Sequence, residues 1–313
     1  MKVIIIGAGC VGLSIAYKLL DKFPGDQILV IDRYNSPSKG TSEKNSGVLH
    51  AGLYYPPNSE KSKLCINGHE KLKELCYINN LPINQCGKLL IPTNKNELEN
   101  LLKIYENAIS CKRGVSLIDY SQAKKIQPNV QKADIYLWSP KTSIFSPKSI
   151  LNYFYMKLLD EGVQFINDKS EKIDKSKNQI ITCNNDKLQF SYLFNCAGAG
   201  ALNIYQKTTI SKSSLSILPI LGQYGIIPNK NILKTNLYPV PDPKLPFLGI
   251  HLTPLINKDI LIGPNAIPIY KKDSQGIDFN DLMSLFPTFL NHTKLFTSNS
   301  QNYRNHALNE LTF

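Results

Sequence analysis

Apolar positions follow two rhythms along this chain. Residues 3–6, Val-Ile-Ile-Ile, are a short β-branched run bounded by glycine, the pattern of a strand buried on both faces. From Val11 the spacing becomes helical, with Ile15, Ala16, Leu19, Leu20 and Phe23 expected on one face before Pro24-Gly25 ends the run. Residues 27–32, QILVID, read as a second strand. A helix is predicted over 59–80, with Leu64, Gly68, Leu72, Leu75 and Cys76 inward, and a strand over 87–93. The next helix, over 94–111, takes Asn94 or Asn96 as its cap and turns Leu98, Leu101, Leu102 and Tyr105 inward. A short helix over 121–130 is stopped by Pro128, and strand-like alternation follows through the only tryptophan, Trp138.

Ser146 caps a further helix with Pro147 at its first position, and the chain breaks at Gly162 and returns as a strand. The strand 192–195 then runs into a turn of small residues holding Gly198 and Gly200. Beyond about residue 215 the pattern changes to strands interrupted by prolines, and the last segment, from 278, is helix-like. The fold class expected is α/β with an α+β second domain: a Rossmann-like domain beside a mixed β-sheet domain. Both are discontinuous, the first over 1–85 and 145–206 and the second over 86–144 and 207–290, with a C-terminal tail over 291–313.

Chemistry enters at the first strand–helix junction. Gly7-Ala8-Gly9-Cys10-Val11-Gly12 has the G-x-G-x-x-G spacing, and Asp32 closes the second strand 20 residues beyond Gly12. Gly7 permits the tight turn, Gly9 lets backbone approach a pyrophosphate, and Gly12 lets helix and strand pack closely. The N–H groups opening the helix bind the anion, and a carboxylate at the end of the second strand accepts from ribose hydroxyls. The motif suits NAD and FAD alike. The Gly/Ala turn at Ala197-Gly198 is a second place where backbone can pass close to a cofactor. Residues 45–57, NSGVLHAGLYYPP, join two glycines, a histidine and two tyrosines in a stretch too apolar for an ordinary surface loop. His50 there, and His251 in the β-rich region, titrate near neutral pH and so are the candidate proton acceptors.

Bulk properties narrow the picture. Hydrophobic content of 42% and charged content of 19% fit a globular chain, and no apolar run reaches the ~18 residues of a membrane span. The N-terminus has no signal- or transit-peptide pattern, so a cytoplasmic location is expected, with contact at the inner membrane surface left open. The net charge is +12, yet of 36 basic residues only Arg33, Arg113 and Arg304 are arginine. Scattered lysines are a solvated-surface bias, and no nucleic-acid partner is expected. Seven cysteines form no CxxC pair, so neither disulfides nor a metal site is expected.

Three stretches carry a family resemblance: KNSGVLHAGLYYPPNSEKSKLC (44–65), QCGKLLIP (85–92) and YPVPDPKLPFLGIHLTPLINKDILIGPNA (238–266). In this order they resemble the L-2-hydroxyglutarate dehydrogenases and oxidases, FAD enzymes of the D-amino-acid-oxidase-like fold. The resemblance implies FAD as cofactor, with Gly7, Ala8, Gly9, Cys10, Val11, Gly12, Asp32, Arg33, Thr41, Ser42, Asn45, Ser46, Gly47, Val48, Ala197 and Gly198 around it. It implies oxidation of a 2-hydroxy dicarboxylate to the 2-oxo acid, with His50 toward the flavin and His251 toward the substrate as catalytic groups. Tyr54 and Tyr55 are expected to bind a substrate carboxylate, and oxygen or a quinone to receive the electrons. The chain departs from the family in having Asp32 where glutamate is usual and Leu221 where an arginine is usual. The expected C-terminal strand-and-glycine segment is also missing before Phe313, so a shortened chain is expected. A non-catalytic remnant, or a sibling acting on amines or glycerol phosphate, is the alternative.

Overall fold

The computed structural model describes residues 1–37, 39–208, 217, 219–228, 232–243, 249–268, 290, 292–299, 303 and 304. It divides into two compact units, residues 1–45 with 147–217 and residues 46–146 with 218–313.

The first unit is built on four parallel strands in the order Tyr192–Asn195, Lys2–Ile6, Gln27–Asp32 and Gln164–Asn167. Because side chains alternate along a strand, the run Val3 to Ile6 feeds two cores at once. Val3, Ile5, Ile28 and Val30 pack against Leu13 and Ala16 of the helix Cys10–Lys22 and Leu151 and Leu158 of the helix Pro147–Asp160. Ile4, Ile6, Leu29 and Ile31 face the opposite way, onto Ile173 and Ile180. Those two residues belong to an antiparallel sheet of Ser170–Asp174, Gln179–Thr182 and Lys187–Gln189. Each isoleucine so enclosed stabilises the fold by roughly 1.5–3 kcal/mol, which is why the sheet reads as unbroken apolar runs. Val11, expected on the apolar face of the first helix, is instead exposed beside the glycine turn, and Leu13 takes the inward place.

The second unit centres on seven strands in the order Gly225–Ile227, Ile260–Gly263, His251–Pro254, Asn236–Pro239, Lys88–Ile91, Tyr136–Ser139 and Ser116–Ile118. All neighbours are antiparallel except Asn236–Pro239 beside Lys88–Ile91. One face, with Leu90, Leu137 and Tyr238, is closed by Leu101, Ile104 and Ala108 of the helix Lys95–Ser110 and by Ala51 and Leu53. The other, with Leu89 and Tyr136, is closed by Ala123 of the short helix Tyr120–Ile126 and by Val130. Asn94, not Asn96, caps the longer helix, and Asp119 and Gln122 form a capping box on the shorter.

Residues 46–85, expected with the nucleotide-type sheet, pack with the second unit. Strand pairing decides this: Val48–Leu49 and Ile83–Asn84 both pair with Ser143–Phe145. The helix Glu60–Ile78 is also rotated from its expected setting. Cys76 is buried as expected, but Leu64 is 70% exposed and Gly68 is exposed, while Ser62 and His69 are buried. Polar groups turn inward because the loop beneath offers carbonyls: His69 Nδ1 lies 3.1 Å from the His50 carbonyl oxygen, and Cys65 Sγ donates to it at 3.7 Å. Most of the expected tail, 291–313, lies outside the described residues.

Candidate functional site

In the first unit the dinucleotide motif has the geometry its spacing predicts. Gly7 has φ +108°, and a Cβ there would lie 2.3 Å from the carbonyl oxygen of Cys196. A Cβ on Gly12 would lie 1.9 Å from the Gly7 carbonyl oxygen, so only glycine lets helix and strand meet here. Gly9 is the N-cap of the helix Cys10–Lys22 and carries no side-chain cap, leaving the first-turn N–H groups of Val11 and Gly12 for an outside acceptor. The Cys10 N–H donates to Ser42 Oγ at 3.0 Å, which ties the motif to the segment holding Thr41 and Asn45. Asn45 in turn donates from Nδ2 to the Ser42 carbonyl at 2.7 Å. Asp32 accepts from the Ala8 N–H at 2.6 Å and the Tyr34 N–H at 2.8 Å, so the acid at the strand end buttresses the glycine turn. Arg33 folds over the ring of Tyr34, 4.8 Å from its centroid. Gly198 has φ +56° and open space where a side chain would stand, beside Ala197. An uncapped helix start, an acid at the strand end and this clearance fit a dinucleotide cofactor.

The second unit gathers the other expected residues. Gly47, at φ +65°, accepts from the Phe145 N–H at 2.8 Å, and with Ser46 and Val48 it leads into the loop that carries His50 and Tyr54. Arg113, buried, holds the Ala51 carbonyl through Nε and reaches Glu70 at 3.3 Å. Around this braced loop lie His50, Tyr54, Lys88, Tyr238 and His251. The rings of Tyr238 and His251 are stacked, with centroids 3.9 Å apart, and His50 meets Tyr238 edge-on at 6.4 Å. Lys88 Nζ donates to Tyr54 Oη at 2.8 Å and lies 4.4 and 4.9 Å from the ring centroids of Tyr54 and Tyr238. Tyr55 stands apart, with Lys61 Nζ 5.5 Å from its ring.

Burial sets the electrostatics of this cluster. Desolvation, with the Lys88 ammonium second, draws His50 down to about 3. Desolvation also lowers His251, and it draws Lys88 down to about 7. The phenols of Tyr54 and Tyr238 are pushed up by the same cause. Both histidines are therefore neutral near pH 7. His251 Nδ1 donates to the Gly249 carbonyl at 3.0 Å, which leaves Nε2 with its lone pair; that atom is buried with no partner among the described residues, as is His50 Nδ1. Beside His251, Tyr224 at a ring distance of 6.5 Å leads into a cavity of about 430 Å³ lined also by Gln223, Gly225, Ile250, Ile262, Gly263 and Asn265.

Lys88, Tyr238, His69 and Arg113 were absent from the expected site. Lys88 had a signal: period-2 alternation puts it on the inward face with Leu90, where a charge is out of place. Arg113 and His69 had none, since they act on loop carbonyls far away in sequence.

A dinucleotide grip, with a mixed-sheet unit carrying buried imidazoles in the same chain, is the architecture of a dinucleotide-dependent oxidoreductase. The chain belongs to the FAD dependent oxidoreductase family, which matches it over residues 2–295, and FAD is that family's cofactor. Its fold is similar to glycine oxidase from Geobacillus kaustophilus, at TM-score 0.74 and 14% identity over 91% of this chain and 76% of that one. It is similar also to the dithionite-reduced, FAD-bound L-alpha-glycerophosphate oxidase from Mycoplasma pneumoniae, at TM-score 0.72 and 20% identity over 92% and 77%. Among sequence relatives, the L-2-hydroxyglutarate dehydrogenase of Indibacter alkaliphilus is 30% identical over 290 residues, 90% of this chain and 72% of that protein. The mitochondrial L-2-hydroxyglutarate dehydrogenase of Mus musculus is 30% identical over 300 residues, 90% of this chain and 64% of that protein. The resemblance carried by the three sequence stretches is thus borne out, and the chain spans 64% and 72% of the length of these two relatives.

Proposed function

We propose that this chain oxidises L-2-hydroxyglutarate, or a closely similar 2-hydroxy acid, to the 2-oxo acid. The observation that carries the reading is the buried, unpartnered Nε2 of His251, fixed as an acceptor by the bond from Nδ1 to Gly249. FAD, when bound, supplies the two-electron acceptor that the conversion of an alcohol to a ketone requires. The residues of the first unit that would hold it are Gly7 to Gly12, Asp32, Arg33, Thr41, Ser42, Asn45, Ala197 and Gly198.

In this reading Nε2 of His251 takes the C2 hydroxyl proton as the C–H electron pair leaves and the carbonyl forms. Its lowered basicity keeps the imidazole neutral and ready at neutral pH. The ring of Tyr238 stacks on this imidazole, and Lys88 holds Tyr54 in the same cluster. Oxygen or a quinone would take up the electrons afterwards. Seven free thiols support a reducing, cytoplasmic setting, with peripheral contact at the membrane surface as a further proposal.

The test is anaerobic mixing of the FAD-loaded chain with L-2-hydroxyglutarate, followed at the flavin absorbance. Bleaching with the L-acid, and none with glycine or glycerol 3-phosphate, is expected. A His251→Ala variant should retain FAD and bleach about 10²–10⁴-fold more slowly. Bleaching by the amine or the phosphate ester instead would overturn the assignment.

A further inference from the structure

Among the described residues, the buried amine of Lys88 in the second unit meets no negative charge. Lys88 is 0% exposed, and none of the ion pairs among the described residues includes it. An isolated ammonium is costly to bury, so this amine is fully charged at neutral pH only with an anion beside it. The groups facing Nζ do not supply it. They are Tyr54 and His50 from the loop, Cys65 from the helix Glu60–Ile78, and Tyr238 and His251 from neighbouring strands. Burial pushes the thiol and both phenols up and both imidazoles down, so all five are uncharged near neutral pH.

The bond from Nζ to Tyr54 Oη has a second consequence. An oxygen that accepts from an ammonium must turn its own O–H elsewhere, and Tyr54 is only half-buried. We infer that Lys88 is a positioning residue for an anionic substrate: it holds Tyr54 so that the phenol O–H is offered to a carboxylate, and its ammonium supplies the matching charge. The inference rests on the reading of this cluster as the substrate site. It also accounts for the charge needed by a dicarboxylate in a chain with Leu221, half out in solvent, where an arginine was expected.

The sign of the pH effect follows. A bound anion favours the charged lysine, whose proton is otherwise released around pH 7. Affinity should be greatest below that pH and fall above it, approaching tenfold per pH unit.

The FAD-loaded full chain is titrated with 2-oxoglutarate from about pH 6 to 9, by perturbation of the flavin spectrum and by calorimetry. The wild type should show the falling affinity and proton uptake. Lys88→Met should bind roughly 10–100-fold more weakly near pH 6 and lose the pH dependence. Tyr54→Phe should also weaken binding, keep the slope, and be less than additive with Lys88→Met. Undiminished affinity and slope in Lys88→Met, pH-independent binding in the wild type, or no binding of 2-oxoglutarate, succinate, acetate or glycerol 3-phosphate would each overturn the inference. Should Lys88→Met fail to fold, unchanged affinity in Tyr54→Phe would overturn it. Lys88-dependent binding of another anion, without 2-oxoglutarate, would sustain the inference while the substrate assignment failed. L-2-hydroxyglutarate turnover with no Lys88 dependence would do the reverse.

Discussion

Two buried groups, Lys88 and His50, make stability depend on pH in a way their folded values dictate. Lys88 falls from an ordinary 10.5 to about 7, so between those values the unfolded chain holds a proton that the folded chain has released. Stability therefore rises with pH across this window, and the cost of the enclosed charge is fully present below it. Lys88→Met should raise Tm at pH 6 by an amount corresponding to a few kcal/mol, and much less at pH 10. An equal gain at both pH values by calorimetry would refute this. His50 works on the acid side: with a folded value of about 3 against 6.5, its contribution is complete above pH 6.5 and lost as pH falls toward 3. His50→Gln should flatten that part of the acid-unfolding curve. A residue that stabilises when removed yet is needed for binding is a common site trade-off, and Lys88 combines both.

At the scale of elements, glycines and caps separate what is needed from what is spare. Gly12→Ala would place a Cβ 1.9 Å from the Gly7 carbonyl, forcing the helix Cys10–Lys22 off its strand. FAD binding should be lost and the urea midpoint lowered. Gly68 is the contrast, mid-helix with nothing within 4 Å of an added Cβ. Gly68→Ala should stabilise by about 0.5–1 kcal/mol through helix propensity alone. Asn94 accepts from the Glu97 N–H at 2.9 Å, and Asn94→Ala should cost about 1 kcal/mol, read as a shifted urea midpoint at constant slope. The helix Glu60–Ile78 shows where pattern reading is weakest. Its leucines predicted one buried face, but the loop carbonyl of His50 drew His69 inward instead, because an unpaired buried carbonyl outweighs one exposed leucine.

At the scale of the whole chain, cofactor and fold should be linked. FAD at 100 times its Kd should stabilise the chain by about 2.7 kcal/mol, visible as a Tm that climbs with FAD concentration; a Tm indifferent to FAD would show that this chain does not hold the family's cofactor. By itself the sequence determined the nucleotide unit: β-branched runs, the glycine spacing and Asp32 act over about 30 residues, where local sterics and period decide the outcome. It also determined the candidate histidines and the cofactor class, because those are carried by contiguous stretches. Only the tertiary structure decided that residues 46–85 pack with the second unit, through pairing with Ser143–Phe145. Only it placed Lys88 between Tyr54 and Tyr238, and left Nε2 of His251 without a partner among the described residues. Those facts depend on contacts between residues tens to hundreds of positions apart, and on how much water each group loses, neither of which a local pattern encodes.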